Sequence, residues 1–481
     1  MGKTKGIVAL FWALADKILT NGFSLVISVI LARLIDPSEY GIIATASIFT
    51  ILLSLFVEPG MTSALIQKKN LDNLDYSSIL SFNLVLGTAL YMVLFSFSGV
   101  IGRWFDIPEL SKVIKILGLQ IIIGSINSVQ IAYVQRNLLF KKYFRCSLTA
   151  VVSASIIGIV MAYREFGVWA LVAYVLTRQF INTMTTLFVF RCFFGFRFSS
   201  KRFIEMFPFA SRILVTKFVD QGYVEVTQTI ISKAYSPQDL ALYNKGKSFP
   251  DLIIKNLNSS LTSVIFPYFS KMQDETDTLY KSMRKAIKMV SFICIPLMVG
   301  LFSCAEVFVE VVLTEKWIKS VPFLQLCCFY NIWVPFSNVI WQTLKSVGKS
   351  SIILKLEIIK TILCIVSLVV FLIMVKSPLA IVLSISFAYM ISFFVECFVA
   401  SKHLKYKIRD VIEDFLPSLL ISSFMGCVVL LMCKIQINLL VLLFAQIIAG
   451  IAVYFCLAYI LKFSQLNMLI GYLKNKRNAV R

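Results

Sequence analysis

Ionisable, amide and hydroxyl side chains recur inside the long apolar runs of this 481-residue chain at spacings of three and four, which puts them on one face of a helix. Asp16 or Lys17, Thr20 or Asn21, Ser24 and Ser28 make one such stripe. Lys217, Asp220 or Gln221, Glu225 and Gln228 make a second. The most regular is Asn244, Ser248, Asp251, Lys255, Asn258 and Thr262, with a sparser set at Ser47, Thr50, Ser54 and Glu58. Arg178 interrupts another run, and Arg212 lies near the end of one. Charges at membrane depth are costly, so they line a wet path or pair with one another. Lys17, Asn21, Arg178, Arg212, Lys217, Gln221 and Lys255 are the candidates for holding an anionic, hydroxyl-rich ligand. Guanidinium and ammonium groups grip phosphate or an acidic sugar, while amides bond sugar hydroxyls. Asp16, Asp220, Glu225 and Asp251 would tune those bases or bind a coupling cation. The structural alternative is neutralisation of Asp16 by Lys17, Asp220 by Lys217 and Asp251 by Lys255, which only lets the helices insert.

Other chemical signals are decoys. Gly246-Lys247-Ser248 and Gly348-Lys349-Ser350 look like phosphate-loop endings, but the upstream glycine is replaced by Ala241 and Thr343. The single histidine, His403, sits among Lys402, Lys405 and Lys407 and offers no metal site. Eleven cysteines show no CxxC spacing and read as reduced and structural. No large loop carries paired carboxylates for acid–base work, so an enzyme is not expected. No cofactor is called for.

The elements that must carry these residues are set by composition. With 58% hydrophobic residues and 15% charged, the chain is too apolar for a soluble globule. Apolar runs fall near 7–31, 40–62, 78–101, 112–134, 146–163, 167–190 and 209–232. They continue near 240–266, 286–312, 321–344, 352–375, 379–400, 414–433 and 438–461, giving about fourteen spans of ~20 residues. Hydrocarbon demands internally paired backbone and no period-2 pattern is present, so the spans are helices. No cleavable signal peptide is expected, since the first run carries Asp16 and Lys17 and continues to Leu34.

The 47 Lys and Arg against 25 Asp and Glu give +22. With both termini inside, most bases fall in cytoplasmic loops, among them Lys68, Lys69, Lys141, Lys142, Arg284 and Lys285. The charge is therefore topological bias and attraction to anionic lipid, not a nucleic-acid footprint.

Sliding the chain by 200 positions pairs Lys17 with Lys217, Gly22 with Gly222, Pro37 with Pro237, Phe49 with Phe249, and Thr62-Ser63 with Thr262-Ser263. This predicts a duplication in which both copies have the same orientation, related by a pseudo-twofold axis along the membrane normal. The expected fold is an all-α polytopic membrane protein with two six-helix bundles, MATE-like, plus a C-terminal helix pair. The expected parts are an N-terminal lobe over 1–190, an amphipathic cytoplasmic linker over 191–208 and a second lobe over 209–400. A basic loop over 401–413, a helix pair over 414–463 and a basic tail over 464–481 complete the chain. Two bundles facing each other across a central cavity is a transporter plan.

The stretch from Leu31 to Asn70 contains Asp36-Pro37, Glu39-Tyr40-Gly41, Gly60 and Ser63-Ala64-Leu65-Ile66-Gln67-Lys68. It resembles the signature region of bacterial polysaccharide-unit flippases, the Wzx-type and teichuronic-acid-exporter-like members of the MOP exporter superfamily, and the likeness extends over the whole chain. The resemblance implies flipping of an undecaprenyl-diphosphate-linked oligosaccharide between leaflets of the cytoplasmic membrane by alternating access, for surface polysaccharide. Membrane lipids surround it, and a polysaccharide polymerase and glycosyltransferases are candidate partners. The membrane potential, ~2.3 kcal/mol per charge per 100 mV, favours outward movement of an anionic headgroup. Proton or sodium coupling is thus open, not required. The competing readings are a lipid II flippase, a cation-coupled multidrug exporter of the same superfamily, and a non-transporting scaffold for a polysaccharide synthase.

Overall fold

A computed structural model describes residues 3–191, 195–404 and 406–466. Lys405 and most of the basic tail, including Lys474 to Arg477, lie outside the described residues, as do the side chains of Lys17 and Asp220. Every regular element among the described residues is helical. In chain order they are α1 (Lys3–Leu34), α2 (Pro37–Ser54), α3 (Pro59–Gln67), α4 (Asn73–Phe105), α5 (Leu110–Leu117) and α6 (Leu119–Arg136). Then come α7 (Phe140–Tyr163), α8 (Val168–Phe190), α9 (Ser200–Ala234), α10 (Pro237–Ser270), α11 (Thr276–Ser303) and α12 (Ala305–Leu313). A 3-10 turn (Glu315–Ser320) leads into α13 (Val321–Ser346), followed by α14 (Ser350–Met374), α15 (Leu379–Leu404), α16 (Ile408–Met432) and α17 (Leu439–Ile460).

These seventeen helices overlay the fourteen apolar runs because three runs are each cut in two. The run 40–62 breaks between Ser54 and Pro59, where proline has no N–H to donate and disfavours helix at the residue before it. The run 112–134 is divided at Gly118, and 286–312 at Cys304. Among the described residues, nine helical stretches, counting α5 with α6 as one and the 3-10 turn with α13 as one, are long and apolar enough to cross a membrane. The chain is an all-helical, multi-pass membrane protein.

The helices fall into two compact units, Met1–Ala241 and Leu242–Arg481, with the division inside α10. In the first unit, Leu110, Val113 and Ile114 of α5 are buried against Leu31 of α1, Ile35 just after it, and Ala170 and Leu171 of α8. A second cluster joins Leu65 of α3, Ile79 of α4, Val129 of α6 and Ala210 of α9. In the second unit, Phe292 of α11 gathers Ile421 and Met425 of α16 and Tyr454 of α17.

The ends of the helices are tied by charge. Asp72 caps α4, its carboxylate accepting from Asp75 N–H at 3.0 Å while Asp75 accepts from Asp72 N–H at 3.0 Å. Asp75 is fully buried and is neutralised by Lys68 at 2.9 Å and Arg202 at 3.2 Å. That joins the end of α3 and the start of α4 to the start of α9. Lys68 also bonds Glu205 at 2.9 Å and holds its carboxyl below the ordinary range. Arg136, ending α6, donates to the carbonyls of Leu65, Ile66 and Lys69 and to that of Lys68, closing the unpaired C-terminus of α3. In the second unit Asp414 of α16 is the equivalent anchor, receiving Arg284 of α11 at 2.6 Å, Lys288 at 3.4 Å and the Tyr406 hydroxyl at 3.3 Å.

The hairpin Asp36–Gly41 has a structural task at each notable position. Pro37 opens α2 at a position where its missing N–H costs nothing. Glu39 reaches across to accept the first free N–H of α8, Val168, at 2.8 Å, next to Gly167 in the left-handed region (φ +54°). A Cβ at Gly41 would lie 2.2 Å from the Pro237 carbonyl oxygen, so only glycine lets the start of α10 come this close. One turn on, Thr45 and Ser232 hydroxyls bond at 2.6 Å.

Gly41→Val must therefore push backbone from backbone, an overpacking cost of ~1–3 kcal/mol. The purified variant is expected to unfold several degrees below wild type. Gly22→Ala, at a glycine with nothing within 4 Å, is expected to match or exceed wild type. Equal midpoints for the two variants would show that the close approach is dispensable.

Candidate functional site

Each unit contains a polar cavity at the depth of its spanning helices. In the first unit it lies between α1, α7 and α8 and has a volume of about 370 Å³. The α7–α8 hairpin packs tightly because α7 presents Ala150, Ala154 and Gly158 to it; a Cβ at Gly158 would touch the Tyr174 Cβ at 3.1 Å. Helical periodicity then brings Tyr143 and Ser147 of α7, Tyr174, Arg178 and Asn182 of α8, and Asp16 of α1 to one space. The Ser147 hydroxyl donates to Asp16 Oδ1 at 2.8 Å, and Asn182 donates to the Tyr143 hydroxyl at 3.2 Å. Arg178 is half-buried on this wall and supplies five donors in a fixed fork. Gln179, beside it, donates to the Gln120 carbonyl at 3.0 Å. Behind Gln179 lies Glu58, at the break between α2 and α3. A Cβ at Gly124 would come 2.5 Å from Glu58 Oε1 and 3.2 Å from Gln179 Nε2, so a glycine makes room for both.

The second unit's cavity is larger, about 570 Å³, between α10, α13, α14 and α15. The α10 stripe runs along α13. Asp251 accepts from the Tyr330 hydroxyl and Asn331 Nδ2, both at 3.0 Å. Two turns further, Asn338 donates to Asn258 Oδ1 at 3.2 Å and Thr262 Oγ1 at 3.1 Å, while Gln342 donates to Asn338 at 3.0 Å. Across the cavity, Lys360 of α14 is paired with Glu357 at 2.7 Å and lies over the rings of Trp341 at 4.8 Å and Tyr389 at 5.9 Å. Glu396 of α15 is 1% exposed and accepts from Ser392 at 3.2 Å. Ser337 and the Trp341 indole lie beside the carboxyl, and among the described residues none closes a hydrogen bond of good geometry onto Oε2.

The sequence-chosen residues divide accordingly. Asp16 and Arg178 meet in one cavity. Gln221 and Gln228 both donate to Glu225, at 2.6 and 3.0 Å, and that carboxylate is 1% exposed, so these three side chains satisfy one another within α9. Asp251 is held by α13, and Lys255 lies 3.9 Å from it with 78% of its side chain exposed. Asn21, Arg212 and Lys217 are exposed. Asn258 and Thr262, from the α10 stripe, reach the second cavity.

Lys360, Glu396, Trp341 and Tyr389 were not among the sequence candidates. A signal for two of them exists: Glu357 and Lys360 are an i,i+3 pair inside the apolar run 352–375, and Glu396 is the only acid in 379–400. Neither belongs to a repeated stripe, so a search for periodic polarity passes over them.

A family model described as "Polysaccharide biosynthesis protein" matches residues 30–322. The chain is 24% identical over 374 residues to the lipopolysaccharide biosynthesis protein WzxC of Escherichia coli (strain K12), covering 76% of this chain and 75% of that one. It is 23% identical over 352 residues to the succinoglycan biosynthesis transport protein ExoT of Rhizobium meliloti (strain 1021), covering 73% and 71%. Its fold is similar to that of the lipid II flippase MurJ in an inward closed conformation, with a TM-score of 0.76 at 17% identity over 94% of this chain and 98% of that one. The family match spans more than half of the chain, through the signature hairpin and both polar stripes of α9 and α10, and the protein is a member of the polysaccharide biosynthesis protein family.

Proposed function

We propose that this chain is a flippase that moves an undecaprenyl-diphosphate-linked oligosaccharide from the inner to the outer leaflet of the bacterial cytoplasmic membrane by alternating access. The product would feed surface polysaccharide assembly, with a polymerase and glycosyltransferases as neighbours and both termini in the cytoplasm. The observation that carries this reading is the cavity of α1, α7 and α8, where Arg178 and Asp16 sit among hydroxyls in a membrane-spanning chain of this family. A guanidinium at that depth has a strong electrostatic preference for diphosphate or an acidic sugar, and the low dielectric strengthens the contact. Asp16 opposes it, which keeps the grip weak enough for release. The relatives named as biosynthesis and transport proteins of surface polysaccharides, and a fold shared with a lipid-linked precursor flippase, support the same cargo class. The concentration of Lys and Arg in alternate loops supports the orientation.

Purified protein in liposomes carrying labelled lipid-linked oligosaccharide is expected to move label to the opposite leaflet. Arg178→Ala is expected to lower the rate at least ~10-fold, the loss of ~1.4 kcal/mol or more for one charge-assisted contact. Arg178→Lys should restore only part, because an ammonium cannot form the bidentate fork. Label that stays in its original leaflet with wild-type protein would instead make the chain a scaffold.

Lys17 and Lys217, which fall at matching positions of the two repeats, are proposed to guide the same headgroup. The Lys17→Ala, Lys217→Ala double variant is expected to abolish surface polysaccharide at unchanged protein level. Normal export by that strain would remove both lysines from the mechanism. Loss of viability on deletion, in place of loss of surface polysaccharide alone, would point to lipid II as cargo.

A further inference from the structure

We propose that the cavity between α10, α13, α14 and α15 is a binding pocket for an uncharged sugar ring. Its volume, about 570 Å³, lies within the ~300–1,000 Å³ range of small-molecule sites. Its walls combine the two features such a ring calls for. Trp341 and Tyr389 line it with aromatic rings and Val334 with an aliphatic side chain, the kind of surface the C–H faces of a pyranose pack against. Asn258, Asn338, Thr262, Ser337 and Glu396 offer donors and acceptors for its hydroxyl rim.

Charge selects the class. Among the described residues Lys360 is the one base on the wall, and its ammonium is already committed to Glu357 at 2.7 Å and to the rings of Trp341 and Tyr389. Glu357 neutralises that ammonium and Glu396 adds a carboxyl to the wall, an arrangement that disfavours phosphate, pyrophosphate or a uronic acid. This is the reverse of the first unit's cavity, where the half-buried guanidinium of Arg178 stands on the wall. Glu396 is the group that calls for a ligand. It is buried and one of its oxygens has no bond of good geometry. A sugar hydroxyl would satisfy the acceptor left so. The opening lies along α10, where Ser259 and Thr262 are exposed. Assigning the bound sugar to the cargo rests on the flippase reading; the existence of the pocket does not.

The test is saturation-transfer difference NMR on the full-length protein in lipid nanodiscs. The probes are free hexoses, 6-deoxyhexoses, N-acetylhexosamines and their disaccharides, with glucuronate and inorganic pyrophosphate as charged competitors. At least one neutral class is expected to receive saturation at its ring C–H protons, undisturbed by either competitor. The Trp341→Leu and Asn338→Asp variants should each weaken that binding about tenfold. Asn338→Asp alters charge without altering volume, so it decides the matter if Trp341→Leu fails to fold. No transfer to any neutral sugar, displacement by pyrophosphate or glucuronate, or undiminished transfer in well-folded Asn338→Asp would each overturn the proposal. The liposome assay run in parallel separates the two readings. Flipping without sugar binding overturns the pocket alone, and sugar binding without flipping overturns the transport reading alone.

Discussion

A polar side chain carried into hydrocarbon has no water to bond, so every such group in this protein must find its partner among neighbouring helices or else face a cavity. That constraint sorts the polar stripes. Asp251 is met by Tyr330 and Asn331, and Glu225 by two glutamines of its own helix. Groups so matched hold helices in register and cannot also grip a ligand without giving up what they have. The residues that remain are the ones whose partners leave bonding capacity over: Arg178 beside Asp16 in one unit, and Glu396 beside Trp341 in the other.

The same constraint explains why small residues mark the closest crossings. Helices that must bring hydroxyls and carboxylates within bonding distance need backbones near each other, and only glycine or alanine allows it. Gly41 admits the Pro237 carbonyl, Gly158 admits Tyr174, and Gly124 admits Glu58 and Gln179. The hairpin that carries the family resemblance is built from such positions. Pro37 starts a helix, Glu39 caps α8 and Gly41 leaves space. Those tasks concern the scaffold, and so the motif identifies a family while remaining silent about cargo.

The two units carry cavities of different electrostatic character. A lipid-linked saccharide carries its negative charge at the diphosphate and little along a neutral glycan. A guanidinium-bearing site and an ammonium-quenched, aromatic site would recognise those portions by different physics, one through charge and one through ring faces and hydroxyl bonds.

Much of the architecture was legible in the chain itself, because hydrocarbon thickness and backbone pairing leave only one solution for apolar runs of about twenty residues. The apolar runs and polar stripes follow from composition and spacing, and the helical class from the demand for internally paired backbone. The breaks at Glu58–Pro59 and Gly118 were written in proline and glycine, yet apolar character continues across them, so hydropathy reads each as one span. Asp16 and Arg178 were recognisable as costly groups, but that they share a cavity depends on α1 lying against the α7–α8 hairpin. Lys360 and Glu396 were equally visible as letters. Their significance came only from packing, because spacing along a chain tells which residues share a helix face and cannot tell which faces meet. The amino-acid order determined what spans the membrane; the contacts between helices decided which polar groups were consumed in holding it together and which stayed available for a ligand.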